Sequence, residues 1–387
     1  MTLAYNKRHQ IVRPDSCLSV LQQRLKYARS ELQESACYFV ENVPVWPGAA
    51  APTPFAASTD IFQYADCNGA PPLINTICAR DNALYGLDLS DENFLVTNGG
   101  MHGLSLVFRQ IKRRSAEAGS AVCLAPVFGA VPALLEATGY DLIYYQMSAA
   151  FPTVEEILAV CRADTRLVYL NFPHNPLGGI YSDAFIEQLV PSLAERGISL
   201  VLDMVYDSFI FDDQKIRSPF ACTNDLSLLY TVNSVSKNYG SPGLRIGWVA
   251  SSSDNVEAMA GMLEIECVAV CSPAQTKAAS LISMGNAPLH QQVVSSRAIV
   301  REFLGRHLSR YASLPPAGTQ VFVNLPVHDI EGFADQMLGE YGLVLATASN
   351  YSGAQGAHIR IPTGYPESIT HNALELLRQG IERYADV

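Results

Sequence analysis

The middle of the chain alternates between short apolar runs and amphipathic segments, and this alternation is the strongest constraint on its fold. Seven runs rich in β-branched or aromatic residues predict strands, at Phe94–Thr97, Ala121–Ala125, Leu142–Tyr145, Leu167–Asn171, Leu200–Asp203, Leu228–Val232 and Ile246–Ala250. Helical patterns lie between most of them, at Met101–Ala116, Ala130–Thr138, Thr153–Arg162 and Asp183–Arg196. Continuous apolar strands that alternate with helices are typical of a doubly wound, mostly parallel α/β sheet. In such a sheet, ligands bind beyond the carboxyl ends of the strands.

The two ends of the chain follow another pattern, which predicts a smaller α+β domain. After residue 285 we expect helices and strands at Leu289–Tyr311, Gln320–Asn324, Ile330–Tyr341, His358–Ile361 and Pro366–Tyr384. Residues 1–60 combine a helical pattern at Leu18–Gln33 with a Pro/Ala-rich stretch around Trp46. The expected division is a large domain over 61–285, a small domain over 286–387, and an N-terminal segment 1–60 that joins the small domain and covers the active site.

Composition excludes several classes of protein. With 49% hydrophobic and 16% charged residues, the chain of 387 residues has a globular balance. The net charge of −11 argues against nucleic acid or an anionic membrane as a partner. No apolar run is long enough to span a bilayer, and Met1–Gln10 lacks the apolar core of a signal peptide. The nine cysteines, without a C-x-x-C pair, indicate reduced thiols in a cytoplasmic protein rather than disulfides or a metal site.

One lysine occupies an unusual position. The strand predicted at Leu228–Val232 leads into Ser234-Val235-Ser236-Lys237, and a Gly/Pro-rich turn follows before Arg245. Of the six lysines in the chain, only Lys237 follows the end of a predicted strand. A desolvated amine loses its proton more easily and forms a Schiff base with an aldehyde. The alternative is an ordinary lysine whose charged end reaches solvent.

Other loops that follow predicted strands also carry candidate site residues. They are the turn Gly99-Gly100-Met101, Phe128, the pair Asn175-Pro176, and Asp203 with Tyr206 three residues later. Asp203 ends an apolar run, so its charge needs a cation or a backbone segment to cap. Arg360 lies between two isoleucines on a predicted strand and needs a carboxylate, from the protein or from a ligand.

The order and spacing of these motifs resemble those of class I and II aminotransferases, which are fold type I pyridoxal phosphate (PLP) enzymes of the aspartate aminotransferase superfamily. The segment S-x-S-K-x(7)-R, formed by Ser234, Ser236, Lys237 and Arg245, carries the resemblance furthest. It extends over roughly residues 60 to 385. The resemblance implies PLP as cofactor, an amino acid substrate and a homodimer with its active sites at the interface.

The resemblance also implies a role for each candidate. Lys237 is the catalytic amine that binds the cofactor, Asp203 meets the pyridine nitrogen, and Phe128 stacks on the ring. Tyr206 and Asn175 reach the phenolic oxygen of the cofactor. The phosphate is held by Gly99, Gly100, Met101, Ser234, Ser236 and Arg245, and by Tyr64 from the neighbouring subunit. The substrate is bound by Arg360, through its α-carboxylate, and by Asn175 and Trp46.

Purely structural interpretations of the same residues also stay open from the sequence alone. Two adjacent glycines are often only a turn, Phe128 is a candidate for core packing, and Arg360 for an internal salt bridge. We interpret His174, next to Asn175, as structural rather than as an acid or base. No metal site is expected.

The implied reaction is transamination, in which the Lys237 Schiff base is exchanged for the substrate amine. The freed lysine moves the Cα proton by way of quinonoid and ketimine intermediates. The alternative is a PLP-dependent lyase or cyclase acting by elimination, replacement or cyclisation, for example on a guanidino amino acid. Leu177 keeps that alternative open, because the family has threonine there. A PLP-sensing DNA-binding regulator is disfavoured, since the N-terminal segment is short and not basic.

Overall fold

The computed structural model describes residues 19–48, 51–52, 63–114, 119–147, 151–212 and 216–384. Parts of the predicted N-terminal segment, and the predicted helix end at Ala116, lie outside these residues. The α-helices of the described chain are α1 (Ser19–Tyr27), α2 (Pro71–Tyr85), α3 (Gly100–Arg113), α4 (Ala130–Thr138), α5 (Val154–Val160), α6 (Asp183–Glu195), α7 (Val235–Asn238), α8 (Ser253–Cys267), α9 (Ser272–Met284), α10 (Ala287–His307), α11 (Ile330–Tyr341) and α12 (Glu367–Tyr384).

The strands form one large sheet, one small sheet and a short two-stranded ribbon. They are β1 (Cys37–Phe39), β2 (Phe94–Thr97), β3 (Gly119–Ala125), β4 (Val127–Phe128), β5 (Tyr140–Gln146), β6 (Thr165–Asn171), β7 (Ser199–Asp203), β8 (Leu229–Ser234), β9 (Gly247–Ala250), β10 (Gln320–Asn324), β11 (Leu343–Thr347), β12 (Tyr351–Ser352) and β13 (His358–Pro362).

The large sheet has the order β2-β9-β8-β7-β6-β3-β5. Strand β9 runs antiparallel to both of its neighbours, and the other pairs are parallel. The predicted mostly parallel α/β sheet is therefore confirmed. The central strands β3 and β7 are buried along their whole length, which explains why the sequence has continuous apolar runs there instead of alternating ones.

The small sheet combines the two ends of the chain, in the order β1-β11-β13-β10. Strand β1 pairs in parallel with β11, and β13 runs antiparallel to β11 and β10. Phe303, Phe333 and Leu377 of the last three helices lie in the core against this sheet. Helix α1 packs Leu21 and Leu25 into a cluster that includes residues of β11. The domain boundaries at residues 60 and 285 stay a prediction.

The described residues contain no membrane-spanning helix, no disulfide and no group of metal ligands. None of their helices is both long and apolar enough to cross a bilayer. The eight described cysteines are unbridged. No group of three or more histidine, cysteine or acidic side chains there is arranged to hold a metal ion.

Candidate active site

A cavity lies where the carboxyl ends of the parallel strands face the small sheet and helix α1. Its walls bring together most of the site residues that the sequence predicts, although they are spread over 260 positions between residues 100 and 360. The predicted residues that line it are Gly100, Met101, Phe128, Asn175, Asp203, Tyr206, Ser234, Ser236, Lys237, Arg245 and Arg360.

Lys237 reaches this cavity from the short helix α7, which begins directly after β8. The Ser234 side chain accepts a hydrogen bond from the Ser236 amide and starts the helix. The amine Nζ donates to Oδ1 of Asn42 at 3.3 Å. Burial lowers the pKa of Lys237 to about 8, and the charges of Glu41 and Arg360 act on it in opposite directions. The amine therefore gives up its proton more readily than a solvated lysine.

Helix α7, which carries Lys237, is held in place by a buried polar network that begins at Asn238. Asn238 donates to Oδ1 of Asn233 at 2.8 Å, and Asn233 donates to Oδ2 of Asp207 at 2.7 Å. Asp207 is in turn held by both terminal nitrogens of Arg80, at 2.9 and 2.5 Å. A buried carboxylate is tolerable when it is paired and fully hydrogen-bonded. This network could not be predicted from the sequence, because its members become neighbours only after folding.

Asp203 ends β7 with its carboxylate in the cavity. Tyr169 donates to Oδ2 at 2.9 Å, and the Val205 amide donates to Oδ1 at 3.3 Å. Burial raises the pKa of Asp203 to about 6, against the opposing effect of these hydrogen bonds and of Lys237. A turn rather than a helix follows β7, so Asp203 is not a helix N-cap. A cation placed beside it would restore the ionised carboxylate.

The Asn-Pro turn is fixed by a residue that the sequence did not single out. The side chain of Asn171 accepts a hydrogen bond from the backbone N–H of Asn175 at 2.6 Å. The same side chain donates to the Asp203 carbonyl at 2.8 Å. The side-chain oxygen of Asn175 is buried and has no partner among the described residues. Burial lowers the pKa of His174 to about 3, so this ring is neutral, and its structural role stays a prediction.

A narrow cradle forms at the N-terminus of α3. Gly99 has φ +83°, and a Cβ there would lie 2.2 Å from Nη2 of Arg245. A Cβ on Gly247 would lie 2.7 Å from the Gly100 amide nitrogen. The first turn of a helix leaves N–H groups without intrahelical acceptors, and its partial positive charge favours an anion. Glycine is required at position 99 because its φ lies in the left-handed region, and at position 247 because a Cβ would collide with backbone atoms.

Arg360 reaches the cavity from β13 as a buried cation. Its side chain donates to the Val40 carbonyl, and its Nε has no partner among the described residues. In that part of the chain, no carboxylate lies within ion-pair distance of Arg360. The internal salt bridge considered from the sequence is therefore not found there. Phe128, on β4, lines the same cavity and pairs with Tyr351 of β12.

Three predicted site residues do not line this cavity: Gly99, which lies in the cradle at the start of α3, Trp46 and Tyr64. The indole N–H of Trp46 donates to the Tyr239 carbonyl at 2.9 Å, and its ring packs against a cluster that contains Phe209 and Leu289. This packing, rather than substrate contact, is what the structure gives Trp46. Tyr64 is 83% exposed, and its assignment to the site of a neighbouring subunit stays a prediction.

The N-terminal segment instead contributes residues that the sequence analysis missed. Leu21 and Gln22 of α1 line the cavity, as do Glu41 and Asn42 after β1. No motif marks these positions. The only available signal was the helical pattern that includes Leu21 and Leu25.

The cavity thus combines an amine of lowered pKa, a buried carboxylate, an anion cradle and a guanidinium that no carboxylate of the described residues pairs with. Such a set suits the binding of a carboxylate substrate and proton transfer beside it.

Comparison with known proteins agrees with this chemistry. Residues 31–376 match the family model for aminotransferase class I and II. Over 372 residues the chain is 34% identical to the 3-methylarginine biosynthesis aminotransferase of Streptomyces arginensis, covering 95% of this chain and 97% of that protein. It is 25% identical over 312 residues to the arginine–pyruvate transaminase of Pseudomonas aeruginosa, covering 77% of each.

A crystal structure of an aspartate aminotransferase from Thermotoga maritima has the same fold. Its TM-score is 0.82 at 21% identity, covering 95% of this chain and 98% of that one. The resemblance inferred from the motifs is confirmed: the chain is an enzyme of the class I and II aminotransferase family, a family that uses PLP.

Proposed function

We propose that this aminotransferase binds PLP at Lys237 and transfers the amino group of an α-amino acid whose carboxylate is held by Arg360. The observation that carries the proposal is the presence of both groups in one cavity. Lys237 has an amine of lowered pKa, and Arg360 is a buried guanidinium without a carboxylate partner among the described residues.

The residues in the cavity fit the cofactor. Lys237 and two hydrogen bonds offset the burial of Asp203 only in part, since its pKa is still raised to about 6, and a pyridine nitrogen carrying a proton would supply a further cation. The buried side chain of Asn175 has an unpartnered oxygen, so this amide has room for a further polar neighbour. The cradle of Gly99 and Arg245 at the start of α3 suits a phosphate. The proposed holding residues are those that the resemblance assigns: Gly99, Gly100, Met101, Phe128, Asn175, Asp203, Tyr206, Ser234, Ser236 and Arg245.

When bound, PLP supplies an aldehyde for the amines and a ring that accepts the electrons of the broken Cα–H bond. The protein supplies position and proton transfer. Arg360 fixes the α-carboxylate with two parallel hydrogen bonds, which orients the Cα–H bond. The Lys237 amine, with a pKa of about 8, is suited to take the Cα proton and deliver it again near neutral pH.

For the substrate side chain, we propose a cationic group, with a guanidino amino acid as the first choice. Glu41 lines the cavity and is exposed to it. Since Asp203 is assigned to the cofactor, Glu41 is the carboxylate that remains, among the described lining residues, to meet a side chain. Its charge attracts a guanidinium and repels a second carboxylate. Two similar proteins carry arginine or 3-methylarginine in their names.

We further propose that the enzyme is a cytoplasmic homodimer. The exposure of Tyr64 leaves this residue available to the site of a second subunit. The unbridged cysteines suit a reducing compartment.

The test is a substrate screen with the PLP-loaded enzyme. Arginine, alanine and aspartate are each added without an acceptor, and the visible spectrum and keto acid are followed. We expect arginine to convert the cofactor to pyridoxamine phosphate faster than the other two. Product formed without pyridoxamine phosphate would indicate the lyase or cyclase instead.

A variant tests the assignment of Glu41 separately. Glu41→Gln should raise KM for arginine about tenfold, equivalent to ~1.4 kcal/mol, and should leave the reaction with alanine unchanged. An unchanged preference for arginine in this variant would refute the role of Glu41 but not transamination.

A further inference from the structure

Asn42 occupies a position in the cavity that none of the roles above uses. It is 2% exposed, and its side chain contacts three polar groups from distant parts of the chain. Its Oδ1 accepts from Nζ of Lys237 at 3.3 Å, and its Nδ2 donates to the Tyr206 hydroxyl at 2.5 Å and to Oε1 of Gln320 at 3.2 Å. The Thr319 hydroxyl donates to its carbonyl at 2.8 Å. Asn42 is therefore held on both its backbone and its side chain.

The orientation of the Asn42 amide is fixed by two groups that can only donate. A lysine ammonium has no acceptor, so it must face the amide oxygen. The Thr319 backbone N–H donates to Oε1 of Gln320 at 3.0 Å, so that this oxygen, rather than the nitrogen, faces Asn42. Both constraints place Oδ1 of Asn42 towards Lys237 and its NH2 group towards Tyr206 and Gln320.

This orientation decides where the phenolic proton of Tyr206 points. Because the NH2 group of Asn42 is the donor, the Tyr206 oxygen accepts this bond, and the hydroxyl proton stays available for another acceptor. Tyr206 lines the cavity, where such an acceptor would bind. Burial raises the pKa of Tyr206, and the bond from Asn42 opposes that rise. Asn42 thus makes the buried hydroxyl a stronger donor.

We propose that Asn42 is a positioning residue that directs the Tyr206 hydroxyl, as a hydrogen-bond donor, at the phenolic oxygen of the cofactor and steadies the Lys237 amine beside it. The inference rests on the proposed binding of PLP. Asn42, in the loop after β1, would then help to set the pKa of the Schiff base between Lys237 and PLP. A weaker donor at Tyr206 would leave that oxygen, and with it the linkage, more basic.

The test measures the pH midpoint of the visible absorbance change in PLP-loaded protein. We expect Asn42→Ala to raise this midpoint by about 0.5 to 1 pH unit, the effect of one neutral hydrogen bond. Tyr206→Phe should raise it further. The double variant should match Tyr206→Phe alone, since Asn42 acts through the hydroxyl that this variant lacks. Asn42→Leu, which keeps the side-chain volume, repeats the measurement if the alanine variant folds poorly.

Thr319→Val is the matched control. It removes the bonds from this hydroxyl to the Asn42 carbonyl and to Oε1 of Gln320 but keeps the Asn42 side chain, so Tm should fall while the midpoint shifts less than in Asn42→Ala. An unchanged midpoint in both Asn42 variants, or shifts that simply add in the double variant, would overturn the inference. Failure of the wild-type protein to take up PLP would overturn the proposed cofactor together with this inference, and the two failures are distinguished by the wild-type spectrum.

Discussion

Replacing Arg360 by methionine is expected to lower activity strongly without lowering stability. Arg360 is 7% exposed, and no described carboxylate pairs with it. In the cofactor-free protein its side chain donates to the Val40 carbonyl, and its Nε has no partner among the described residues. Methionine fills a similar volume without a charge to desolvate. The free energy of unfolding should therefore be unchanged or rise by up to ~2 kcal/mol.

The loss of activity follows from the bonds that the guanidinium offers to a carboxylate. Hydrogen bonds to charged groups contribute about 1.5 to 3 kcal/mol each, and Arg360 offers two to the substrate. Part of this gain is offset by desolvation of the carboxylate. We expect kcat/KM for an α-amino acid to fall by roughly 10²- to 10³-fold, or ~3 to 4 kcal/mol.

The assay compares arginine with agmatine, the amine that lacks its α-carboxylate. Single-turnover rates of cofactor conversion should fall in Arg360→Met for arginine only, because agmatine has no group for Arg360 to bind. Equal losses for both compounds would refute the assignment. Urea unfolding of the cofactor-free variant gives the stability.

Arg297 provides a matched control for the stability claim. It is 3% exposed, donates to the Gly318 carbonyl at 3.3 Å and to the Pro315 carbonyl, and lies over the Phe211 ring. Arg297 does not line the cavity. Because Arg297→Met removes two hydrogen bonds to carbonyls, this variant should lose about 2 to 3 kcal/mol of stability and keep its preference for arginine over agmatine. If Arg360→Met is destabilised as much as Arg297→Met, Arg360 is a structural residue.

Three further predictions concern other side chains of the site. The pKa of Lys237 is about 8 in the folded protein and near ~10.4 in an unfolded chain, so the unfolded state binds more protons between these values. The cofactor-free protein should therefore gain stability as pH rises from about 8 to about 10, and identical urea-unfolding pH profiles for wild type and Lys237→Met would contradict this. Because burial lowers the pKa of His174 to about 3, His174→Gln should leave the pH profile of kcat unchanged, and a lost limb of that profile would reveal an acid or base. Trp46→Phe should lower the free energy of unfolding by about 1 kcal/mol through its lost hydrogen bond and leave KM unchanged, whereas a changed KM would restore Trp46 to the substrate site.

Helices and strands whose apolar pattern is bounded by clear turn residues could be predicted from the sequence. The predicted bounds of β2, α4, β10 and α11 agree with the structure, because each has clear periodicity between turn residues. Strand β11, at Leu343–Thr347, was not predicted. Its five residues form a fully buried apolar run, but only Gly342 separates this run from α11. The helices α2 and α8 were also missed, although α2 begins with proline and α8 follows a serine cap.

The direction of β9 depends on what the connection before it forms rather than on apolar pattern. The twelve residues between Ser234 and Gly247 form only the one-turn helix α7 and a short 3₁₀ turn. A parallel crossover usually contains a full helix that spans the face of the sheet. Strand β9 therefore returns antiparallel beside β8, and this return places Arg245 next to the Gly99 cradle.

Residues with a motif around them were found from sequence, and residues without one were not. Lys237 and Asp203 each follow a strand in a recognisable pattern. Asn42 and Tyr169 have no such pattern, and they reach Lys237 and Asp203 only across 195 and 34 positions of the chain. Such contacts are set by how the sheets pack, which no local pattern encodes.

The central claim is that PLP bonds to the amine of Lys237. The most direct measurement is reduction of the PLP-loaded protein with borohydride, followed by digestion and mass spectrometry of every lysine-containing peptide. The expected result is one reduced PLP group, on the peptide that contains Lys237, and none in Lys237→Ala. Absence of the label from this peptide, or an equal label on the other lysines, would contradict the account.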